Sequence, residues 1–143
     1  MRAWAILGVL LAVSSLIAAK DETIADLEAR LKTARPEQQA VLYAQIAERQ
    51  LAAADQLYTD GKVEEAKARV DDVISYSEKA RDSAVKSGKR LKDTEITVRK
   101  MAAKLADIKR SLAFEDQPPV QAAVDRLEGI RTELLKAMFG KKK

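Results

Sequence analysis

The chain has 143 residues, of which 34% are charged, and its 26 basic and 22 acidic residues give a net charge of +4. It contains no cysteine and no histidine, which excludes disulfides and removes the commonest general base, the thiol nucleophiles and the soft metal ligands. A chain of this length is expected to form one domain, and we expect neither an enzymatic activity nor a cofactor. The richness in Ala, Glu, Lys, Leu and Arg, with only five glycines and three prolines, predicts an all-α protein.

Residues 1–19 have the pattern of an export signal. Arg2 supplies the positive start, residues 4–16 form an apolar run, and Ala18 and Ala19 are small residues before an expected cleavage site. We therefore predict an exported protein, periplasmic or secreted. The apolar stretch from 3 to 19 is 17 residues long, at the lower limit for crossing a bilayer, so an uncleaved membrane anchor is the alternative.

The next segment predicts a short helix followed by a helical hairpin. Apolar residues recur at helical spacing over 21–34, and Pro36 ends that helix and begins the next. The second helix is expected to stop at Gly61, since glycine readily adopts the left-handed conformation that ends helices, and a third helix begins at Lys62. The core residues expected in the second helix are Leu42, Ile46, Ala53 and Leu57.

The strongest pattern in the chain is a seam over 63–112 that advances by alternating steps of three and four residues. Its members are Val63, Ala66, Val70, Val73, Ser77, Ala80, Ala84, Ser87, Leu91, Thr94, Val98, Met101, Leu105, Ile108 and Leu112. Gly88 interrupts it and leaves two architectures open. If Gly88 is a turn, the chain forms an antiparallel bundle of four long helices plus the short N-terminal helix. If it is helical, residues 63–112 form a rod of about 75 Å that needs a partner helix, as in a coiled coil. We predict the bundle, because globular helices rarely exceed about 25 residues.

The last helix is expected after the break at 117–119. Pro119 fits the first turn of a helix, Gly140 ends it, and residues 141–143 form a lysine tail. The predicted domain therefore covers 20–140. The seam of this helix comprises Val120, Ala123, Leu127, Ile130, Leu134 and Ala137. The aromatic residues outside the signal are expected in the core rather than at a binding surface: Tyr43, Tyr58, Tyr76, Phe114 and Phe139.

The acidic pairs at 64–65, 71–72 and 115–116 do not indicate a catalytic site. Neighbouring residues of a helix point about 100° apart, so two such carboxylates cannot face each other across a substrate. Metal sites in helical bundles use histidine together with glutamate, and histidine is absent. We therefore expect no metal site.

Charge is distributed unevenly along the chain. Residues 79–110 contain eleven basic and four acidic residues, a net charge of +7, whereas residues 20–60 carry −3. An anionic membrane or a cell-envelope polyanion is a suitable partner for such a segment, although internal charge balance with the acidic first helix explains the pattern more simply than either. Nucleic acid is the poorest fit, because no aromatic residues or recognition motif accompany the charges. The candidate contacts with an anionic partner are Lys86, Lys89, Arg90, Lys92, Arg99, Lys100, Lys104, Lys109 and Arg110.

Residues 50–83 resemble a tetratricopeptide unit, a helix-turn-helix of about 34 residues. The residues that carry the resemblance are Ala54, Leu57, Tyr58, Gly61, Ala66 and Val70, whereas Gln50 stands where a tryptophan is typical. The resemblance implies a scaffold that binds peptides or proteins. The functional expectation is thus an exported, non-enzymatic binding module for an unidentified protein partner, with homo-oligomerisation left open. The alternative is a peripheral binder of anionic membrane or envelope polyanions through residues 79–110 and the lysine tail.

Overall fold

The computed structural model describes residues 22–140, and these form five α-helices. They are α1 (Ile24–Leu31), α2 (Pro36–Thr59), α3 (Val63–Ser87), α4 (Leu91–Arg110) and α5 (Gln117–Phe139), with a 3₁₀ turn at Phe114–Asp116 before α5. The all-α prediction is confirmed for this part of the chain. The expected export signal at 1–19 and the lysine tail at 141–143 lie outside the described residues.

Local sequence signals set the helix boundaries. Thr23 and Asp26 form a capping box at the start of α1, each side chain accepting a hydrogen bond from the other residue's backbone N–H. The first turn of α2 begins at Pro36, which has the backbone angle that a helix requires. Gly61 has φ +77° between α2 and α3, as predicted for the turn of this hairpin.

Gly88 divides the long seam. It adopts the left-handed conformation, with φ +68°, and donates its backbone N–H to the carbonyl of Ala84 to close α3. Ser87 Oγ then accepts the backbone N–H of Lys89 at 3.1 Å, and Arg90, at φ +65°, precedes α4. The chain therefore reverses at this point. The bundle prediction is confirmed in this respect, and the continuous rod is wrong.

Two helical hairpins, α2–α3 and α4–α5, pack against each other. The helices run antiparallel within each hairpin. In the first hairpin the ring centres of Tyr43 and Tyr76 lie 6.2 Å apart, and in the second Arg131 pairs with Glu95. Between the hairpins, neighbouring helices run parallel: Arg81 of α3 reaches Glu133 of α5, and further toward the N-termini of the same helices Glu78 meets Arg126. The bundle is thus antiparallel only within its hairpins.

The seam residues form the main core. Of the fifteen seam positions, eleven are buried, and the four others lie at or next to helix ends and are half-buried: Val63, Ser87, Leu91 and Leu112. The predicted seam of α5 is buried from Val120 to Leu134. A second, smaller cluster holds α1, where Leu27 packs with Leu42 and Ile46 of α2.

Four details of the sequence prediction are wrong. Ala53 and Leu57 are only half-buried, because α2 contacts α1, α3 and α4 and buries a different, broader arc that includes Ala47, Ala54 and Tyr58. α4 ends at Arg110, well before the prolines, where Ser111 Oγ donates to the Ile108 carbonyl. Two aromatic residues expected in the core, Phe114 and Phe139, are 84% and 71% exposed. α1 is shorter than predicted at both ends.

None of the helices within residues 22–140 is both long enough and apolar enough to cross a membrane.

Candidate functional site

The most open face of the bundle lies between α2 and α4, where a groove runs along both helices. α2 touches α4 less extensively than α3 touches α5 on the opposite side. Three clefts of about 310, 290 and 250 Å³ follow one another along α2. The second and third lie between α2 and α4, and the first continues them between α2 and Arg30, Thr33 and Ala34 at the end of α1. Together they extend on α2 from Gln38 to Ala52, about 21 Å at 1.5 Å per residue. We call this surface the α2–α4 groove.

The clefts are continuous because they share wall residues. Val41, Gln45 and Arg90 line both the first and the second cleft, and Glu48 lines both the second and the third. Apolar surface at the bottom comes from buried Ala44 of α2 and Met101 of α4. The groove therefore combines an apolar floor with polar walls.

The two walls carry opposite charge. On α2 the exposed acid is Glu48. On the α4 side, Arg90 and Asp93 pair with each other at 3.4 Å, and the remaining exposed charges are the bases Lys100 and Lys104. One ion pair crosses the groove, from Lys104 Nζ to Asp55 Oδ2 at 3.1 Å, and it marks the far end. Lys100 has no carboxylate within 4.0 Å among the described residues. A bound helix would therefore meet negative charge on one flank and positive charge on the other.

Gln45 lies at the centre of the groove. Its Oε1 is the single buried side-chain oxygen or nitrogen without a hydrogen-bond partner in residues 22–140. An unpaired buried carbonyl costs about 1–3 kcal/mol. Burial of a polar group in this way is unfavourable for folding.

The opposite face, between α3 and α5, is closed by polar contacts. Arg81 bridges Glu133 and Asp82, both at 3.0 Å, and its side chain is only 14% exposed. Arg126 reaches Glu78 at 2.5 Å further along the same interface. At one end of this face a separate cleft of about 220 Å³ remains, lined by Tyr58, Val70 and Pro119 among others, and it shares no wall residue with the clefts of the α2–α4 groove.

The nine basic residues expected to contact an anionic partner do not form one patch. Lys86, Lys89, Arg90 and Lys92 lie around the turn between α3 and α4. Lys100 and Lys104 line the α2–α4 groove, and Arg99 reaches Glu95 at 3.7 Å on the side of α4 that faces α5. Lys109 and Arg110 lie at the other end of the bundle, where Lys109 donates to Gln121 Oε1 and Arg110 pairs with Asp107. Five of the nine have a carboxylate partner: Lys89, Arg90, Arg99, Lys104 and Arg110.

The buried charged residue Glu95 has a structural role in the contact between α4 and α5. Arg131 donates to Glu95 at 2.9 Å, and this hydrogen bond raises the pKa of the Arg131 guanidinium above its ordinary value. A buried carboxylate requires such a partner, because an unpaired charge in the interior is strongly unfavourable. Its hydrogen bond and ion pairs are all with arginine side chains, so we assign it to packing of the second hairpin.

A polar contact also ties α1 to α3. Tyr76 donates its hydroxyl to Glu28 at 2.7 Å, and this hydrogen bond, together with burial, raises the pKa of Tyr76 to about 12. The Lys79 ammonium lies 4.9 Å from the centre of the Tyr76 ring. These contacts position α1 over the first hairpin, beside the first cleft of the groove.

The acidic pairs of the sequence lie toward the end of the bundle where α3 and α5 begin. Burial raises the pKa of Tyr58, and one acid from each pair raises it further: Asp116, Asp71 and Glu64. Glu64, Glu65 and Glu115 are exposed, and within residues 22–140 no three carboxylates come together in a way that would hold a metal ion. Glu64 pairs with Lys67 of its own helix at 3.1 Å. These residues are therefore not included in the candidate site.

Comparison with known proteins adds no relative: no protein-family model matches the chain, and no curated protein or solved structure matches it significantly. The candidate site is consequently defined by geometry and charge alone. The tetratricopeptide resemblance stays a prediction.

Several residues of the groove were missed by the sequence prediction. Val41, Gln45, Glu48 and Ala52 attracted no attention, because they lie off the seam and form no motif. Their spacing of four, three and four residues does place them on one helix face. This spacing can be read from the sequence, but it does not show that α4 leaves this face of α2 partly uncovered.

Proposed function

We propose that the chain is an exported, non-enzymatic binding module that holds a helix of a partner protein in the α2–α4 groove. The observation that carries the proposal is the row of three connected clefts along one side of the bundle, opposite a closed side. Export is part of the proposal through the signal expected at 1–19. The partner is therefore sought in the cell envelope or among secreted proteins.

The shape of the groove supports a helical occupant. A straight groove of about 21 Å matches about fourteen residues of α-helix. Amphipathic helices bind such grooves through an apolar face, with anchors spaced three and four residues apart. Buried Ala44 and Met101 supply apolar surface at the bottom of the groove for such anchors to contact.

The charges of the walls specify the flanks of the occupant. A helix with acidic residues on the side facing Lys100 and basic residues on the side facing Glu48 would complement both walls. The reverse orientation would place like charges together, which is unfavourable. The groove thus selects both the charge pattern and the direction of the partner helix.

Site-specific photo-crosslinking tests this proposal. In one variant a photoreactive residue replaces exposed Ala52 in the groove, and in the matched control it replaces exposed Ala122 on α5. Each variant of the full chain is produced in the organism that makes the protein. We expect Ala52 to give a discrete adduct whose crosslinked peptide maps to an amphipathic helix with both charge rows, and Ala122 to give none. An adduct with this chain itself would assign the groove to a second copy. Equal adducts at both positions, or a crosslinked peptide without helical amphipathicity, would refute the proposal.

A further inference from the structure

The bundle carries opposite charge at its two ends. At the end where α2 and α4 begin and α3 and α5 finish, the terminal turns of these helices, the residue before α2 and the connection from α3 to α4 hold six bases against two acids, a net charge of +4. At the opposite end, the terminal turns of the same four helices and the connections between them hold three bases against six acids, a net charge of −3. We call the first the basic end; its bases are Arg35, Lys86, Lys89, Arg90, Lys92 and Lys136.

The charge of the basic end is only partly neutralised. Lys89 pairs with Glu37 at 3.6 Å and Arg90 with Asp93 at 3.4 Å, which accounts for both acids. The other four bases are exposed and have no carboxylate within 4.0 Å in the part of the chain that the structure describes. Three more lysines follow Gly140 directly in the sequence. Such a concentration of like charge attracts an anionic surface.

Two exposed apolar side chains accompany these charges. Phe139 is 71% exposed in the last turn of α5, and Val85 is 47% exposed in the last turn of α3. α5 runs antiparallel to α4, and Arg131 of α5 pairs with Glu95 of α4. Phe139 lies about two turns beyond Arg131, so it is level with the turn at Gly88. An exposed aromatic side chain thus lies at the same height as the basic residues of that turn.

We propose that the basic end binds the surface of a bilayer that contains anionic lipids. Basic side chains attract the headgroups, and apolar side chains beside them enter the boundary between headgroups and acyl chains. The acidic end would point away from the negative surface, so the bundle would stand on its end. The α2–α4 groove, which runs along the bundle, stays free, so this inference does not depend on the proposed helix binding.

The observations favour lipid over nucleic acid as the anionic partner. A protein that binds nucleic acid uses basic side chains in a row along the strand, and aromatic side chains interleaved with them stack on the nucleobases. Here the charges are gathered at one end, and the aromatic side chain, Phe139, is the last residue of a helix. A flat, charged surface with an apolar interior accommodates both features at once.

Two double variants with the same net charge test where the contact lies. Lys86→Glu/Lys92→Glu alters the basic end, and Lys62→Glu/Arg110→Glu alters exposed bases at the opposite end. The full chain is cosedimented with vesicles of phosphatidylcholine alone and with vesicles containing about one third phosphatidylglycerol, at low and high salt. The readout is the part of the binding that requires phosphatidylglycerol, since insertion of the apolar residues 3–19 would not require it.

We expect the phosphatidylglycerol-dependent binding of Lys86→Glu/Lys92→Glu to fall at least about 30-fold, about 1 kcal/mol for each lysine lost. The Lys62→Glu/Arg110→Glu variant should change this binding less than about threefold. Equal losses in both variants, or no phosphatidylglycerol-dependent binding at low salt, would overturn the proposal. Tighter binding to single-stranded DNA than to the vesicles, lost in the same variant, would assign the basic end to nucleic acid instead.

The orientation is tested with two phenylalanines at opposite ends of the bundle. The chain has no cysteine, so Phe139→Cys and Phe114→Cys each provide one site for an environment-sensitive dye. On phosphatidylglycerol vesicles the dye at position 139 should shift to the emission of an apolar environment, and the dye at position 114 should not. A shift at both positions, or at position 114 alone, would contradict end-on binding.

Discussion

Two glycines of this chain are predicted to respond in opposite directions to the same substitution. Gly88 has φ +68° and ends α3, whereas Gly129 lies in the interior of α5 with helical geometry. A Cβ atom added at either position meets no heavy atom within 4 Å. The substitution of alanine therefore changes backbone preference alone, without a steric clash at either site.

The magnitudes follow from the two conformations. A residue with a Cβ atom in the left-handed region costs about 1–2 kcal/mol, so Gly88→Ala should lower the free energy of unfolding by that amount. In a helix interior alanine is favoured over glycine by about 0.8–1.0 kcal/mol, so Gly129→Ala should raise it. For a domain of this size 1 kcal/mol corresponds to about 4 °C, which separates the two variants by about 8–12 °C in Tm.

Thermal and urea unfolding, followed by far-ultraviolet circular dichroism, measure both variants against the parent chain. The denaturant dependence should be the same in all three, which would show that the change lies in stability rather than in the extent of folding. A neutral or stabilising Gly88→Ala would mean that residue 88 is not in the left-handed conformation, and the division of the seam would fail. A destabilising Gly129→Ala would mean that α5 packs closely against another helix at this point.

Three further predictions test other parts of the structure. Gln45→Leu should raise the free energy of unfolding by about 1 kcal/mol, because the unpaired buried carbonyl disappears; an unchanged or lower Tm would mean that Gln45 has a partner in solution. Leu127 is fully buried and Leu135 half-buried, so Leu127→Ala should lower the free energy of unfolding by about 3 kcal/mol and Leu135→Ala by clearly less, as measured by urea unfolding. Equal decreases would contradict the packing of α5. The pKa of Tyr76, raised in the folded protein to about 12, implies stability that is fully present below about pH 10 and lost as the pH rises toward 12. The Tyr76→Phe variant should therefore lose less stability than the parent over that pH window. In an absorbance titration it should also lack the last tyrosine to ionise. A titration of the parent without a late step would contradict the hydrogen bond to Glu28.

The repetition of small and apolar residues carried most of the information about the fold. The seam from Ala66 to Ile108 is buried except at Ser87 and Leu91, which flank the turn, because a spacing of three and four residues places side chains on one face of each helix. The same pattern misassigned Ala53 and Leu57. α2 packs on three neighbours, so its buried arc is wider than one stripe, and periodicity does not reveal how many neighbours a helix has.

The surfaces were harder to predict than the core, because they depend on how the hairpins pair. Glu48 and Lys100 face each other across the groove although they are far apart in sequence, and only the parallel alignment of α2 with α4 brings them together. The basic end likewise adds Arg35 and Lys136 to lysines that the sequence already showed as a group. Exposed Phe139 had no signal of its own, since an apolar residue at helical spacing is usually buried.

The charge pattern of the groove, which is central to the proposed function, is tested most directly by the yield of the Ala52 crosslink in charge-reversed backgrounds. Lys100→Glu places a negative charge on the basic wall, and Lys62→Glu makes the same change at an exposed position outside the groove. We predict that the Ala52 adduct falls at least about tenfold with Lys100→Glu, since a like charge replaces an opposite one, and is unchanged with Lys62→Glu. An equal yield in both backgrounds would contradict helix binding in the α2–α4 groove.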